Sequence, residues 1–252
     1  MNLTIDIGNT NVMICLFNKN KIIKATKVNV LNLRRDKNPS LFKNLSLREK
    51  EVNVIISSVV PDITKLYTDI FNKLQINYFQ ARNLLKLFKL KTNLQNQKTI
   101  GDDRLINIMY AKYLYKKSKM IIDFGTATTI DILDKNGVYD GGVITPGIDL
   151  SLKSLQKGTA KLPLVSFKES KRIIGRNTKE AIQSGFFWGY ISMIEGLVKR
   201  IEIEKKSKFE IILTGGNALY FKSFFQNVIR LDEFFISRGL NYLIDNYLQK
   251  IS

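Results

Sequence analysis

Two short polar segments, each directly after an apolar stretch, contain residue types that suit phosphate binding. The Asp6 loop begins Asp6-Ile7-Gly8-Asn9-Thr10, and the Asp123 loop is Asp123-Phe124-Gly125-Thr126. Glycine lets the backbone turn sharply and approach a phosphate, so that amide N–H groups can point at its oxygens. The threonine hydroxyl adds a donor, and the aspartate can hold a metal ion or its water shell. One copy alone fits an ordinary turn, but two matched copies indicate a site for a triphosphate.

The surroundings of the two loops repeat as well. Each loop follows one apolar strand and precedes a second, and each is completed by a polar turn and a returning strand. The second and returning strands are predicted over Val12–Phe17 and Lys21–Val28, and over Thr129–Leu133 and Val138–Ile144. The two aspartates lie 117 positions apart in a chain of 252 residues. The sequence therefore predicts a duplicated unit, with both loops facing one cleft.

The remaining periodicity indicates an α/β protein. Apolar residues recur with helical spacing over Gly101–Lys117 and Thr178–Ile203, and Asn177 or Thr178 is the expected N-cap of the second helix. Buried strands are predicted over Val52–Val59 and Phe209–Leu213. We expect two lobes, residues 1–116 and 117–252, each built from a mixed sheet with flanking helices.

The composition narrows the possible chemistry. The chain has 40 Lys and Arg against 22 Asp and Glu, a formal net charge of +18, but the lysines are scattered, so no nucleic-acid role is expected. The lack of histidine excludes Ser-His-Asp and Cys-His catalysis and histidine-ligated metals. Cys15, the single cysteine, fits a small buried residue in a reducing compartment. No apolar run is long enough to span a membrane and the first residues resemble a strand rather than a signal peptide, so we expect a cytoplasmic protein.

Seven motifs, taken in order, make the chain similar to type III pantothenate kinases. They are Asp6–Thr10, Ser57–Pro61, Gly101–Arg104, Asp123–Thr129, Gly141–Gly147, Gly158–Pro163 and Thr214–Gly216. The resemblance extends from residue 3 to about residue 240. It implies duplicated ribonuclease-H-like (actin-like) lobes, a homodimer, and transfer of the γ-phosphate of ATP to the primary hydroxyl of pantothenate, the first step of coenzyme A synthesis.

The resemblance also implies the site residues. The implied ATP contacts are Asp6, Ile7, Gly8, Asn9, Thr10, Asn11, Val12, Met13 and Thr126. The implied pantothenate contacts are Gly101, Asp102, Asp103, Arg104 and Thr178. Asp103 is the implied proton acceptor, and Asp123 the implied ligand of a monovalent cation, K⁺ or NH₄⁺. Mg²⁺ is expected on the ATP phosphates, held partly through water near Asp6.

The residues near Asp103 agree with such a role on chemical grounds. A carboxylate at the start of a helix can take the proton of a hydroxyl, and Arg104 can form a bidentate pair with a substrate carboxylate. Two departures from the family concern substrate affinity. Asp102 replaces a residue that is commonly small, and Leu94, Asn96 and Gln97 stand where many members have a tyrosine and then Asn-Pro.

Four alternatives remain at this point. The chain could act on another small hydroxy-compound, or be a phosphatase with the same cleft, although the Gly-x-Asp-Arg segment and the short length favour pantothenate. It could be a non-catalytic regulator that kept the fold, or a basic nucleic-acid-binding protein, although both loops are intact.

The helix over residues 178–203 is the expected dimer contact. It carries small residues beside aromatic ones, a combination that allows close packing with large anchors. These residues are Ser184, Gly185 and Gly189, with Phe186, Phe187 and Trp188. An intramolecular core helix is the alternative.

Overall fold

The computed structural model describes residues 1–36, 52–88, 90–96 and 100–251. It divides into two compact units. Unit 1 comprises residues 1–91, 95–114 and 234–252, and unit 2 comprises residues 92–94 and 115–233. No helix among the described residues is long and apolar enough to cross a membrane.

Unit 1 contains a five-stranded mixed sheet in the order β3-β2-β1-β4-β5. Its strands are β1 (Asn2–Ile7), β2 (Asn11–Asn18), β3 (Lys21–Asn29), β4 (Asn53–Ser58) and β5 (Tyr78–Gln80). Strands β1, β2 and β3 form an antiparallel meander, β4 runs parallel to β1, and β5 runs parallel to β4. The helices of unit 1 are α1 (Val30–Asp36), α2 (Pro61–Lys73), α3 (Ala81–Leu85), α4 (Asp102–Leu114) and α7 (Phe235–Ile251).

Unit 2 repeats this topology with a sheet in the order β10-β9-β6-β7-β8. Its strands are β6 (Lys119–Phe124), β7 (Ala127–Leu133), β8 (Tyr139–Pro146), β9 (Glu210–Thr214) and β10 (Val228–Leu231). Its helices are α5 (Ile148–Lys157), α6 (Thr178–Lys205) and a 3-10 helix (Ala218–Phe224). Strands β6, β7 and β8 are antiparallel neighbours, and β9 and β10 continue the sheet in parallel. The predicted fold class, duplicated mixed sheets with flanking helices, is confirmed.

The two aspartates occupy equivalent positions in the repeat. Asp6 is the penultimate residue of β1, where it pairs with Met13 on β2 and with Ser57 on β4. Asp123 is the penultimate residue of β6, where it pairs with Thr129 on β7 and with Thr214 on β9. Each loop therefore leaves the carboxyl end of a central strand that neighbours hold on both sides.

Apolar packing explains why the strands are rigid at that point. In unit 1, Leu3, Ile5 and Ile7 on β1 are fully buried and belong to one core cluster with Tyr67 and Phe71 of α2. In unit 2, the strand β6 contributes Met120, Ile122 and Phe124 to a core that also contains Phe187 and Ile194 of α6. A loop that leaves such a strand starts from a fixed backbone position.

The observed units differ from the predicted lobes in where the C-terminal helix belongs. Residues 234–252 pack with unit 1, whereas the prediction grouped them with residues 117–233. The physical reason is an apolar face on α7. Leu240, Leu243 and Ile244 are fully buried in a cluster with Ile55 of β4 and Ile106 of α4.

The predicted helices are present with shifted ends. Helix α4 ends at Leu114, three residues before the predicted end, because the chain passes there into unit 2. Helix α6 continues to Lys205 and is ended by Lys206 in the left-handed conformation, with φ of 47°.

Candidate active site

The Asp6 loop is a tight turn between β1 and β2. The Gly8 amide donates to the Asn11 carbonyl at 3.0 Å, and a Cβ on Gly8 would lie 3.3 Å from the same oxygen. That distance is shorter than ordinary van der Waals contact, so glycine suits the turn. Asn9 at the tip is exposed, which leaves this part of the loop open to a ligand.

Neighbouring segments hold both ends of the Asp6 loop. The Val59 amide donates to the Ile7 carbonyl at 3.1 Å, and the Val30 amide donates to the Thr10 carbonyl at 2.9 Å. Ile7 and Val12 are fully buried. Of the eight implied ATP contacts over residues 6–13, these two therefore have no exposed surface in this structure.

The Ser57–Pro61 motif organises the start of α2 beside this loop. The Ser58 hydroxyl accepts hydrogen bonds from the Val60 amide at 3.0 Å and from the Thr64 hydroxyl at 2.5 Å. Pro61 occupies the first turn, where its missing amide costs nothing. The motif thus fixes the segment that carries the Val59 amide onto β1.

The Asp123 carboxylate is enclosed by two glycines. A Cβ on Gly125 would lie 3.3 Å from Asp123 Oδ1, and a Cβ on Gly215 would lie 2.5 Å from it. Gly215 has φ of +89°, a conformation that L side chains rarely adopt. The Thr214-Gly215-Gly216 motif, which is weak as a sequence signal, is therefore required by the packing of backbone against this carboxylate.

A third glycine packs under the Asp123 loop. A Cβ on Gly147 would lie 2.3 Å from the Thr126 carbonyl oxygen and 2.4 Å from that of Gly125. The Gly147 amide donates to the Thr126 carbonyl at 3.0 Å. Thr126 itself is exposed. Gly147 thus holds the backbone of the loop, while Thr126 is exposed at the surface of the unit.

Asp102 is engaged in an ion pair that sequence reasoning missed. Arg82 Nη1 donates to Asp102 Oδ1 at 2.7 Å and to the Ile100 carbonyl at 3.1 Å. Burial raises the pKa of Asp102, and the charge of Arg82 partly opposes this shift. The carboxylate that departs from the family pattern therefore anchors the segment before α4 to α3. No sequence motif marks Arg82, because its partner lies 20 positions away.

The Asp103 carboxylate folds back over Gly101. Its Oδ1 accepts a hydrogen bond from the Arg104 amide at 2.8 Å, and a Cβ on Gly101 would lie only 2.4 Å from the same oxygen. The Leu105 amide donates to the Gly101 carbonyl at 3.1 Å. Glycine in the Gly-x-Asp-Arg segment thus provides the space for this carboxylate. The two neighbouring aspartates have different environments, because Asp102 pairs with Arg82 and Asp103 accepts from the Arg104 amide.

Thr178 is the exposed first residue of α6. Asn177, one of the two predicted N-caps, accepts a hydrogen bond from the Glu180 amide at 2.9 Å. Glu180 in turn accepts from the Arg176 amide at 2.9 Å and from Asn177 Nδ2 at 2.9 Å. These contacts, the one with the Arg176 amide first, lower the pKa of Glu180. The capping box sets where Thr178 stands.

The implied site residues are divided between the two units. Unit 1 contains the Asp6 loop and the Gly101–Arg104 segment, and unit 2 contains Asp123, Thr126 and Thr178. That the two loops face one cleft stays a prediction. Gln97, one of the departures from the family, lies outside the described residues.

The described residues contain no group of three or more His, Cys, Asp or Glu side chains placed to hold a metal ion. Mg²⁺ commonly binds through one or two carboxylates together with substrate phosphates. The single carboxylate of Asp6 beside an open glycine turn fits that arrangement, in which ATP brings most of the ligands.

Comparison with known proteins identifies the family. The family model for type III pantothenate kinase matches residues 2–200. A type III pantothenate kinase of Pelagibacter ubique is 40% identical over 243 residues, which cover 93% of this chain and 95% of the relative. Another, from a Sulfurihydrogenibium species, is 36% identical and covers 98% of this chain and 100% of the relative. The chain belongs to the type III pantothenate kinase family.

Solved structures agree with this family's fold. A protein of Sinorhizobium meliloti described as a 2-dehydro-3-deoxygalactonokinase superposes with a TM-score of 0.58 at 8% identity, over 98% of this chain and 99% of that one. A protein of Campylobacter jejuni described as a Baf family transcriptional activator has a TM-score of 0.62 at 21% identity, over 98% and 99%. At these identities the likeness concerns the fold alone.

The contact between Gly101 and Asp103 generates a prediction for this family member. In Gly101→Ala the new methyl group would displace the Asp103 carboxylate. If Asp103 is the proton acceptor that the resemblance implies, kcat for pantothenate phosphorylation should fall on the order of 10²-fold, the effect of displacing a catalytic group by about 1 Å. The melting temperature should change little, because the displaced atom is the end of a flexible side chain.

A double-mutant cycle with Asp103→Asn separates this mechanism from general damage. If Gly101→Ala acts through Asp103, it should add little to the loss already caused by Asp103→Asn. Independent, multiplying losses would contradict the geometric explanation.

Proposed function

We propose that this chain transfers the γ-phosphate of ATP to the primary hydroxyl of pantothenate and forms 4′-phosphopantothenate, the first step of coenzyme A biosynthesis. The observation that carries this proposal is the family match over nearly the whole chain. The structure supports it with two equivalent strand-end loops and a Gly-Asp-Asp-Arg segment at a helix start. We also propose that the enzyme works in the cytoplasm, where ATP is abundant.

In the proposed complex, ATP binds through the Asp6 loop (residues 6–13) and Thr126. Asn9 is exposed in the turn after β1, and Thr126 is exposed in the loop whose backbone packs against Gly147. Asp6 holds the Mg²⁺ of MgATP through water. When bound, Mg²⁺ neutralises the negative charge that phosphoryl transfer spreads over the phosphate oxygens.

Asp123 is the proposed ligand of a monovalent cation, K⁺ or NH₄⁺. Its carboxylate has a fixed position because Gly125 and Gly215 pack against it without side chains. A carboxylate held in this way at a strand end can place a single positive charge near anionic phosphates without rearranging.

Asp103 is the proposed acceptor of the pantothenate hydroxyl proton. Phosphoryl transfer depends mainly on positioning and charge neutralisation, so the carboxylate has chiefly to orient the hydroxyl. Asp102 is less suited, because Arg82 already occupies it. Asp102 is instead proposed to support the substrate segment, in which Gly101 makes room for Asp103.

The pantothenate carboxylate is the proposed partner of Arg104. A guanidinium can bind a carboxylate through two parallel hydrogen bonds, which fixes orientation as well as position. Thr178, exposed at the capped start of α6, is the proposed further contact. The missing family tyrosine predicts that these polar groups carry more of the substrate affinity here.

We also propose a homodimer through α6, although fewer residues of the helix can contribute to the contact than the sequence predicted. Ser184 and Phe187 are buried within unit 2, so they are not on the surface of the helix. Gly185 and Gly189 are exposed, and a Cβ on either would meet no atom within 4 Å. They line an apolar groove of about 550 Å³ together with Leu155, Leu162, Ala181, Phe186 and Met193.

Release of ADP in the presence of pantothenate tests the function. We expect MgATP to be converted with pantothenate and not with a panel of sugars, acetate and other small hydroxy-compounds. A second arm replaces K⁺ by a bulky organic cation such as tetramethylammonium, which should abolish turnover because it cannot approach Asp123. Turnover of another panel member in place of pantothenate would contradict the proposed substrate, and full turnover in tetramethylammonium would contradict the cation site.

Neighbouring aspartates provide a matched pair of variants. Asp103→Asn should lower kcat by about 10²–10⁴-fold, toward the low end because little early proton removal is needed. KM for ATP should stay nearly constant. Asp102→Asn keeps a hydrogen-bond acceptor for Arg82 and should reduce kcat only slightly. If Asp102→Asn proves inactive and Asp103→Asn does not, the two roles are reversed.

The α6 groove predicts the effect of blocking it. Gly189→Arg should convert the dimer to a monomer in sedimentation velocity at micromolar concentration, because the side chain fills the space between close-packed helices. Ile203→Arg introduces the same charge at an exposed position near the end of the same helix and should leave the dimer intact. A wild-type protein that sediments as a monomer would refute the proposed assembly.

A further inference from the structure

Tyr190 on α6 makes a hydrogen-bonded connection to the turn after β8. The residue is 8% exposed, and its hydroxyl donates to the Pro146 carbonyl at 2.5 Å. The Ser151 hydroxyl oxygen lies 3.1 Å from the Tyr190 hydroxyl oxygen. Because the tyrosine proton is directed at Pro146, Ser151 is the donor in this second contact. Burial raises the pKa of Tyr190.

The turn that Tyr190 holds is also the support of Thr126. Gly147 donates its amide to the Thr126 carbonyl at 3.0 Å and accepts at its own carbonyl from the Ser151 amide at 2.9 Å. Ala127 pairs with Pro146 in the β7–β8 register. The backbone of Thr126 therefore cannot shift without moving the Pro146–Gly147 turn.

The backbone of this turn packs tightly against the backbone of the Asp123 loop. A Cβ on Gly147 would approach the Thr126 carbonyl oxygen to 2.3 Å, so that the two backbones already touch. A displacement of the turn by a few tenths of an ångström is thus transmitted to Thr126 and is not absorbed by a void.

We propose that Tyr190 is a positioning residue for the nucleotide: its hydroxyl fixes the Pro146–Gly147 turn, and this turn fixes the backbone of Thr126. The proposal rests on the proposed function, in which Thr126 contacts ATP. Tyr190 acts through Pro146, Ser151 and Gly147, and it does not belong to the pantothenate segment. Its removal should therefore weaken ATP binding while leaving pantothenate binding and the chemical step nearly unchanged.

Tyr190→Phe tests this role with the least disturbance. Phenylalanine keeps the ring, which stacks on Phe186 with centroids 6.4 Å apart, and removes only the hydroxyl. We expect KM for ATP to rise about 3- to 10-fold, the range that corresponds to the net value of one hydrogen bond. KM for pantothenate and kcat should change less than about 2-fold on the same scale. Tyr220→Phe, on the 3-10 helix of the same unit, is the matched control and should behave as wild type.

Calorimetric titration with MgATP gives a second readout that does not depend on pantothenate. The dissociation constant for MgATP should rise in Tyr190→Phe by the same factor as KM. Ser151→Ala should shift it in the same direction by a smaller factor, because it removes the second partner of the hydroxyl. A wild-type protein that does not phosphorylate pantothenate can still bind MgATP more tightly than Tyr190→Phe does. That pair of results would support the positioning role and refute the proposed substrate.

Three outcomes overturn the inference. The first is an active wild-type enzyme in which Tyr190→Phe leaves both KM and the dissociation constant for ATP unchanged. The second is a parallel rise of both Michaelis constants with a lower melting temperature, which would indicate a general structural role. If Tyr190→Phe does not fold, an unchanged dissociation constant for MgATP in Ser151→Ala is the third.

Discussion

Close packing of backbone against carboxylate oxygens is the constraint on which the candidate site depends. A Cβ on Gly101 would lie only 2.4 Å from Asp103 Oδ1, and a Cβ on Gly215 would lie only 2.5 Å from Asp123 Oδ1. In both units an acidic side chain is therefore placed by the absence of a neighbouring side chain. This packing holds each charged group in a fixed position, so that the group need not rearrange when a cation or a substrate binds.

The repeated sheet explains why such tight placement is possible. In each unit the loop that follows the aspartate leaves the central strand of the five-stranded sheet, which pairs with an antiparallel strand on one side and a parallel strand on the other. Residues that directly follow other strands of the same sheet then bind the loop backbone. The Val59 amide after β4 donates to the Ile7 carbonyl in unit 1, and the Gly147 amide after β8 donates to the Thr126 carbonyl in unit 2. The loops can present exposed groups because their backbones are held by hydrogen bonds from these supports.

Asp102 shows how a departure from a family pattern is accommodated. A second carboxylate beside Asp103, the proposed proton acceptor, could repel an anionic substrate or couple to Asp103. Arg82 pairs with it at 2.7 Å and also binds the Ile100 carbonyl, so the added charge is balanced and the segment before α4 gains an anchor. The neighbouring Asp103 keeps its own geometry over Gly101.

Sequence alone determined the duplicated architecture, the family and the candidate residues. Strand periodicity and glycine-containing turns are local patterns, formed by residues that are close together in the chain, so they can be recognised without the structure. It also indicated a capped start of α6 at Asn177 or Thr178, and the structure has the cap at Asn177, whose partner lies three positions away. Only the tertiary structure decided that α7 packs with unit 1, that Arg82 pairs with Asp102, and that Ser184 and Phe187 face the interior of unit 2. The support of Thr126 by Gly147, and of that turn by the bond from Tyr190 to Pro146, likewise joins residues 21 and 44 positions apart. Such contacts arise from how strands and helices pack, and no short pattern in the chain encodes them.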